Sequence, residues 1–299
     1  MKVLRTPDER FANLPGYPWA PNYLTISADD GTELRVHYID EGPRDAEPIL
    51  LLHGNPTWSY LYRKMIPGLL KTGRRVIAVD LPGTGKSDKP ADRGDYTLAR
   101  HYDWASKWLA ALNLNNITLF CQDWGGTIGL FLVSKYPERF ARVVASNTGV
   151  PTGEGESDFM KMWVGMMSVA TEFPWPMLET GMVNKLTPEE LAAYRAPYPT
   201  SEYEYCLITW PSLITVQPTN PGLALNIAAW ERLQKFDKPF LTLFGELDPV
   251  GRGWETRAQA KIPGAQGQAH AMIPNAHHFI QEDAADELVA RITKFLDVK

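Results

Sequence analysis

The sequence contains little cysteine, no long apolar run and no excess of basic charge. Only 2 of its 299 residues are cysteine, too few for the disulfide framework that stabilises many small secreted domains. Cys121 lies inside an apolar stretch, where a buried, reduced thiol is the ordinary explanation. The cysteine content therefore predicts a fold that depends on a hydrophobic core rather than on covalent cross-links.

Apolar runs are also too short for a membrane protein. None of them approaches the roughly 18 residues that a membrane-spanning helix needs. The first 14 residues carry several charges and are interrupted by Pro7, which does not fit a secretory signal peptide. We therefore expect a cytoplasmic protein with no membrane partner.

The charge pattern indicates a small-molecule partner. The formal net charge is −5, and the Lys and Arg residues are scattered rather than gathered in a stripe, which argues against binding to nucleic acid. The 6 histidines form no pair with metal-binding spacing on a helix and have no Cys-x-x-Cys partner. We expect no metal, no cofactor and, by default, a monomer.

Strand-like runs alternate with helical segments through the first half of the chain. Residues 60–70 have a helical pattern, residues 98–112 form an amphipathic helical pattern, and an edge hairpin is predicted from residues 23–27 and 33–40. The alternation predicts an α/β fold with a doubly wound, mostly parallel sheet. Continuous apolar runs, typical of strands buried on both faces, occur at residues 48–52, 75–80, 117–122 and 142–147.

This alternation stops after about Pro151. Residues 151–229 read as helical pieces rich in Met, Trp and Tyr and broken by prolines. Strand patterns return at residues 239–244 and 269–273, and a last amphipathic helix is predicted at residues 283–296. We therefore predict a core domain made of residues 1–150 and 230–299, with a helical cap domain of residues 151–229 inserted in it.

The most informative stretch joins a strand to a helix at an acidic residue. The apolar run ending at Gln122 is followed by Asp123, Trp124, Gly125 and Gly126, and an apolar helix face follows. This pattern resembles the nucleophile elbow of α/β hydrolases, where a tight turn presents one side chain above the carboxyl end of the sheet. Asp123 stands where serine is usual. The stretch alone also allows a simpler role for Asp123 as a helix N-cap.

Polar residues follow two later strands in the same way. Asp248 follows the run at 240–244, and His278 follows the last predicted strand. Open α/β sheets bind ligands at the carboxyl ends of their strands, and the order nucleophile, acid, histidine is that of α/β hydrolases. Glu246 is an alternative to Asp248 as the acid, and His277 is an alternative to His278 as the base.

The chain resembles the haloalkane dehalogenases over nearly its whole length. The resemblance implies an α/β-hydrolase fold with a helical cap, Asp123 as nucleophile, His278 as base and Trp124 as a halide-binding residue. It also implies a halogenated alkane as substrate. The matching stretches are residues 53–63, 85–90, 122–126 and 278–282, of which the first and third are the most specific.

These residue types suit halide displacement in chemical terms. Attack on a saturated carbon needs a nucleophile that is already anionic at neutral pH, as a carboxylate is and a serine hydroxyl is not. Asp123 would form an alkyl ester, and His278, oriented by Asp248, would activate the water that hydrolyses it. Backbone N–H groups of Asn55 and Trp124 are candidates for the oxyanion hole. The products would be an alcohol, a halide ion and a proton.

A departing halide needs N–H donors carried on apolar side chains. Trp124 is one candidate, and the resemblance implies a second from either of two branches of the family, Trp163 in the cap or Asn55. We rank Trp163 first, with simple packing of the cap as its alternative role. By position in the family, the cavity is expected to be lined by Trp210, Pro211, Val250 and Phe279.

Other functions remain open. An epoxide hydrolase would share the Asp nucleophile and would use cap tyrosines as the acid, for which Tyr194, Tyr198, Tyr203 and Tyr205 are candidates. A fluoroacetate dehalogenase would need arginine near the nucleophile, where this chain has Trp124. A non-catalytic binding protein would be expected to have lost one residue of the triad, and none is lost.

Overall fold

The computed structural model describes residues 1–154 and 157–298, and an eight-stranded sheet lies at its centre. In space the strands follow the order β8-β7-β6-β5-β3-β4-β2-β1. β2 pairs antiparallel with both of its neighbours, and the remaining pairs are parallel. The predicted doubly wound, mostly parallel sheet is therefore confirmed. The strands are β1 (Asn22–Ser27), β2 (Glu33–Glu41), β3 (Pro48–Leu52), β4 (Arg75–Val79), β5 (Ile117–Gln122), β6 (Phe140–Ser146), β7 (Phe240–Gly245) and β8 (Ala271–Ile273).

Helices cover both faces of this sheet, which explains the continuous apolar runs. In β3, Leu50 and Leu52 belong to one buried cluster, whereas Ile49 and Leu51 belong to the cluster on the opposite face. Both faces must be apolar because neither contacts water. The first face is covered by Leu98–Leu112, Asp123–Lys135, Leu223–Leu233 and Trp254–Lys261, and the second by Ile66–Leu70, Ile280–Asp283 and Ala285–Phe295.

The described residues between β6 and β7 contain helices and loops but no strand. Local signals in the sequence explain where the helices begin. Ser157 accepts a hydrogen bond from the backbone N–H of Met160, and Thr187 and Glu190 form a capping box. The helices that precede Leu223 are Asp158–Val169, Pro176–Thr180, Pro188–Arg195 and Tyr205–Thr209, with shorter 3₁₀ turns at Ser201–Glu204 and Trp210–Leu213.

The last helix of this insertion belongs with the core. Leu223–Leu233 packs on Asp123–Lys135, and its residues Ala229 and Trp230 lie in the same buried cluster as Phe131. A boundary after residue 229 would cut this helix. We therefore propose that the cap ends near residue 222 rather than at 229.

Some predicted elements differ from those in the structure. The helix expected near residues 60–70 is a 3₁₀ turn, Ser59–Tyr62, followed by the short helix Ile66–Leu70. The backbone N–H of Ser59, at the start of the turn, donates to the carboxylate of Asp80 at 2.7 Å, and Pro67 lies in the first turn of the short helix, where proline is tolerated. The helix predicted at residues 283–296 is present as Ala285–Phe295, and a separate short helix, Ile280–Asp283, precedes it. A small antiparallel pair, Val3–Leu4 with Lys89–Pro90, has no counterpart among the predicted elements.

Within residues 1–154 and 157–298, no helix has both the length and the apolar character needed to cross a membrane. Both cysteines are buried free thiols. Burial raises the pKa of Cys121 and of Cys206, so both remain protonated and act as small apolar side chains.

Candidate active site

Asp123 lies at a sharp turn between β5 and the helix Asp123–Lys135. Its φ is +52°, whereas Gln122 before it is extended. A non-glycine residue in this region is strained, and such strain is concentrated at functional sites. The N-cap residue of the helix is Gln122, so the interpretation of Asp123 as a simple N-cap is wrong. Gly125 lets the helix approach β3, because a Cβ there would lie 2.2 Å from the carbonyl oxygen of Leu52.

The loop after β3 brings a backbone donor to the carboxylate of Asp123. The N–H of Asn55 donates to Asp123 Oδ1 at 2.7 Å. This approach requires glycine at position 54, because a Cβ there would lie 2.2 Å from the same oxygen. One carboxylate oxygen is thereby held by the backbone, and Oδ2 lies 3.4 Å from His278 Nε2.

The three residues expected to act together form one chain of polar contacts. His278 Nδ1 lies 3.0 Å from Asp248 Oδ1, which directs the opposite ring nitrogen towards Asp123. The carboxylate of Asp248 also accepts the backbone N–H groups of Val250 and Gly251, each at 2.9 Å. These bonds fix the acid, and the acid fixes the orientation of the imidazole.

The electrostatics of this chain favour a charged histidine. Burial alone would lower the pKa of His278, but Asp248 and Asp123 raise it to about 10. Burial would raise the pKa of Asp248, but the charge and hydrogen bond of His278, together with backbone N–H donors, lower it. The two carboxylates therefore favour the imidazolium form of His278 over the neutral ring.

The alternative base, His277, and the alternative acid, Glu246, take no part in these polar contacts. His277 Nδ1 accepts the backbone N–H of His278 at 2.8 Å, so its ring faces the main chain. Glu246 is exposed, and its backbone N–H bonds to Ile273. Neither side chain contacts Asp123.

Two cavities meet at Asp123 and Trp124. The larger, of about 460 Å³, carries polar groups that include Thr127, Glu154, Arg252 and Arg257. The smaller, of about 240 Å³, is mainly apolar. It is lined by residues that include Asn55, Asp123, Trp124, Trp163, Phe173, Val250, His278 and Phe279.

Both candidate indoles face the smaller cavity. Trp124 is 4% exposed, and Trp163 meets Phe173 edge-on with ring centroids 6.2 Å apart. Within the part of the chain that the structure describes, neither indole N–H has a protein acceptor. The side-chain amide of Asn55, in contrast, donates to the carbonyl oxygen of Leu207 at 3.0 Å. One of the two amide N–H groups of Asn55 is therefore used within the protein, whereas the N–H of Trp163 is unpaired within the described residues.

Comparisons with known proteins agree with this arrangement. Residues 47–174 match a family model described as alpha/beta hydrolase fold. A haloalkane dehalogenase of Psychrobacter cryohalolentis is 50% identical over 298 residues, which cover 99% of this chain and 98% of that protein. The haloalkane dehalogenase of Mycobacterium marinum is 46% identical over 294 residues, which cover 98% and 99% of the two chains.

A solved structure also shows similarity to the haloalkane dehalogenases. Haloalkane dehalogenase DpaA of Paraglaciecola agarilytica NO2 superposes with a TM-score of 0.88 at 31% identity, covering 100% of this chain and 99% of that one. The chain belongs to the haloalkane dehalogenase family. The predicted α/β-hydrolase fold and the resemblance stated from the motifs are both confirmed.

Part of the cavity expected for a dehalogenase is placed differently. Val250 and Phe279 line the smaller cavity, whereas Trp210 and Pro211 are lining residues of neither cavity at Asp123. Trp210 is fully buried behind Trp124, with the rings stacked at 5.6 Å and 11°. Its indole N–H donates to His101 Nε2 at 2.9 Å. It supports a cavity residue instead of lining the cavity.

Two amide side chains to which the sequence assigned no role lie beside the base of this dehalogenase. Asn147 Nδ2 donates to the carbonyl oxygens of His277 and His278 at 2.8 and 2.9 Å, and Gln122 contacts His278 as well. Both residues lie at the carboxyl ends of strands, the same signal that singled out Asp123 and Asp248. Among the described residues, no group of three or more His, Cys, Asp or Glu side chains could hold a metal ion.

Proposed function

We propose that this chain hydrolyses haloalkanes to an alcohol, a halide ion and a proton through an alkyl ester on Asp123. One observation carries the proposal. A carboxylate bound by a backbone N–H and a histidine opens onto an apolar cavity that contains two unpaired indole N–H groups. Family membership supports the same reaction class.

The hydrogen bonds of Asp123 suggest which oxygen attacks. Oδ1 is held by the N–H of Asn55 at 2.7 Å, so Oδ2, whose contact with His278 is longer at 3.4 Å, is the oxygen that would approach the halogenated carbon. The carbon–halogen bond breaks as the Oδ2–carbon bond forms, and the halide leaves with its electron pair. Indole N–H donors of Trp124 and Trp163 would stabilise that charge in a cavity with few other polar groups.

Ester formation prepares the second step. It removes the negative charge of Asp123, one of the two charges that raise the pKa of His278, so the ring loses its proton more readily. Neutral His278 would then take a proton from water as the water attacks the ester carbon. The negative charge that develops on Oδ1 lies against the N–H of Asn55, and Asp248 stabilises the new imidazolium.

The geometry does not favour the alternatives. The cap tyrosines that an epoxide hydrolase would use, Tyr194, Tyr198, Tyr203 and Tyr205, line neither described cavity at Asp123. Tyr194 donates to Glu282 at 2.5 Å instead. A haloacetate would require an arginine beside the nucleophile, but Arg252 and Arg257 line the larger cavity and are absent from the smaller one, which contains both indoles.

Trapping the ester tests the proposal directly. The purified protein should release bromide and acid from 1-bromobutane, and Asp123→Ala should release none. His278→Ala should form the ester but fail to hydrolyse it, so its intact mass should rise by one butyl group, and digestion should locate that group on Asp123. Diol formation from styrene oxide without bromide release would instead support an epoxide hydrolase.

The oligomeric state and the cellular location stay predictions. A monomer is expected by default, but the solved relative DpaA is described as tetrameric. Sedimentation velocity on the purified chain would decide between the two states.

A further inference from the structure

A buried amide contacts the catalytic histidine from inside the protein. Gln122 is fully buried at the end of β5. One terminal atom of its side chain lies 3.1 Å from the carbonyl oxygen of His278 and 3.2 Å from His278 Nε2. A backbone carbonyl only accepts hydrogen bonds, so this atom must be the amide nitrogen. Gln122 therefore directs N–H groups at both the backbone and the ring of His278.

We propose that Gln122 is a positioning residue that favours the neutral, base-competent form of His278 while the ester is hydrolysed. This inference rests on the proposed function, because it assigns a role within the second half of that reaction. Nε2 is the nitrogen that would take a proton from water, and an N–H donor beside it favours the unprotonated nitrogen over the protonated one.

The other polar contacts of the ring have the opposite effect. Asp248 at Nδ1 and Asp123 at Nε2 both favour the charged imidazolium. Gln122 is the side-chain contact, among the described residues, that favours the neutral ring. When ester formation removes the charge of Asp123, the balance shifts towards the neutral base, and Gln122 increases this shift. A general base is most effective when its pKa lies near the working pH.

The unpaired end of the same amide argues against a purely structural role. The Oε1 atom of Gln122 is buried and has no hydrogen-bond partner among the described residues. A buried unsatisfied acceptor is costly, and methionine or leucine at this position would avoid that cost. The carbonyl oxygen of His278 already has a second donor in Asn147 Nδ2 at 2.9 Å. Anchoring of the loop therefore does not require Gln122.

Gln122→Met tests the inference, because it keeps the side-chain length and removes the donor. Rapid-quench measurements with 1-bromobutane separate the bromide burst, which reports ester formation, from the slower steady state. We expect a burst rate within about twofold of wild type and ester hydrolysis about tenfold slower at neutral pH. The acidic limb of the hydrolysis rate should move upward by about one pH unit.

Gln281→Met is the matched control. Gln281 is also fully buried, has no hydrogen bond to His278 or Asp123, and lies near the base in sequence. Its variant should keep the wild-type burst, hydrolysis rate and pH profile. Thermal melting of both variants reports any loss of folding.

A second variant keeps the test decisive if Gln122→Met does not fold. Gln122→Glu is nearly isosteric and places a carboxylate beside the ring, so it should move the acidic limb further upward than Gln122→Met. Equal slowing of burst and hydrolysis with an unmoved pH limb in the folded variants would overturn the inference. Absence of bromide release by the wild-type protein would instead refute the proposed function.

Discussion

The sheet edge formed by the carboxyl ends of the strands and the cap contribute to the same cavity in different ways. At the sheet edge, Asp123, Asp248 and His278 are held by directional hydrogen bonds of 2.7–3.0 Å, with only the 3.4 Å contact between Asp123 and His278 longer. In the cap, Trp163 has a ring contact with Phe173 and no hydrogen bond within the described residues. Groups that exchange charge and protons are oriented by hydrogen bonds, whereas the cap supplies one wall of the cavity and one unpaired donor, the N–H of Trp163.

The largest expected effect breaks the hydrogen-bonded chain at the sheet edge. Asp248→Asn keeps the size of the acid but removes the charge that stabilises imidazolium. We expect ester hydrolysis to slow by about a thousandfold, while the bromide burst persists, because alkylation does not need the base. Rapid-quench kinetics with 1-bromobutane would measure both rates. Near-normal hydrolysis would show that another carboxylate, such as Glu246, supplies the charge.

The sheet edge is the region that sequence could predict. Parallel strands place their carboxyl ends along one edge, so residues far apart in the chain can be grouped by that position alone. This rule groups Asp123, Asp248 and His278. Their order along the chain is the order of nucleophile, acid and histidine in α/β hydrolases. Gln122 and Asn147 satisfy the same rule, but their roles depend on which way their amides point, which no periodicity reveals.

The cap could be predicted only as a helical insertion. Its side chains reach the cavity according to how short helices pack, and that packing depends on contacts between distant residues. Trp210 illustrates the difficulty, because its position suggested the cavity wall, but a hydrogen bond to His101 places it behind Trp124. Packing of this kind leaves no regular signal in the sequence.

The connection between core and cap also explains two of the matching stretches. Arg63 and Glu282 are separated by 219 positions, yet Arg63 Nη2 lies 3.0 Å from Glu282 Oε2. The same nitrogen lies 2.7 Å from Glu190 in the cap. A buried arginine needs such partners. Two of the matching stretches therefore contain residues that join the cap to the core. Only the structure reveals this contact.

The second prediction concerns the cap side of the cavity. Trp163→Phe keeps an aromatic ring beside Phe173 and removes one unpaired N–H. Because that donor would act on the departing halide, we expect kcat/KM for 1-bromobutane to fall by about a hundredfold. The loss should be greater for 1-chlorobutane, whose smaller leaving anion carries its charge at higher density.

Trp175→Phe is the matched control within the cap. The indole N–H of Trp175 donates to Glu204 at 2.7 Å, and Trp175 lines neither cavity at Asp123. Its variant should lose stability but retain the wild-type ratio of bromide to chloride rates. If Trp163→Phe kept normal activity while Asn55→Ala lost it, the second halide donor would be Asn55.

The smallest expected effect concerns the core side of the cavity, where the packing of Trp210 on Trp124 would affect halide binding. Trp210→Phe keeps a ring against Trp124 and removes the N–H that His101 accepts. Burial lowers the pKa of His101 to about 3, so this histidine is a neutral acceptor that fixes the plane of Trp210 and, through stacking, that of Trp124. Halide affinity, measured by titrating tryptophan fluorescence with bromide, should fall by about threefold, in the range of a single neutral hydrogen bond.

Trp104→Phe is the control, because Trp104 also lies beside His101, with rings 5.2 Å apart, but has no ring contact with Trp124. A Trp210→Phe effect as large as that of Trp163→Phe would mean that stacking orients the halide donor as strongly as hydrogen bonds orient the triad, and the contrast between the two regions would then not hold.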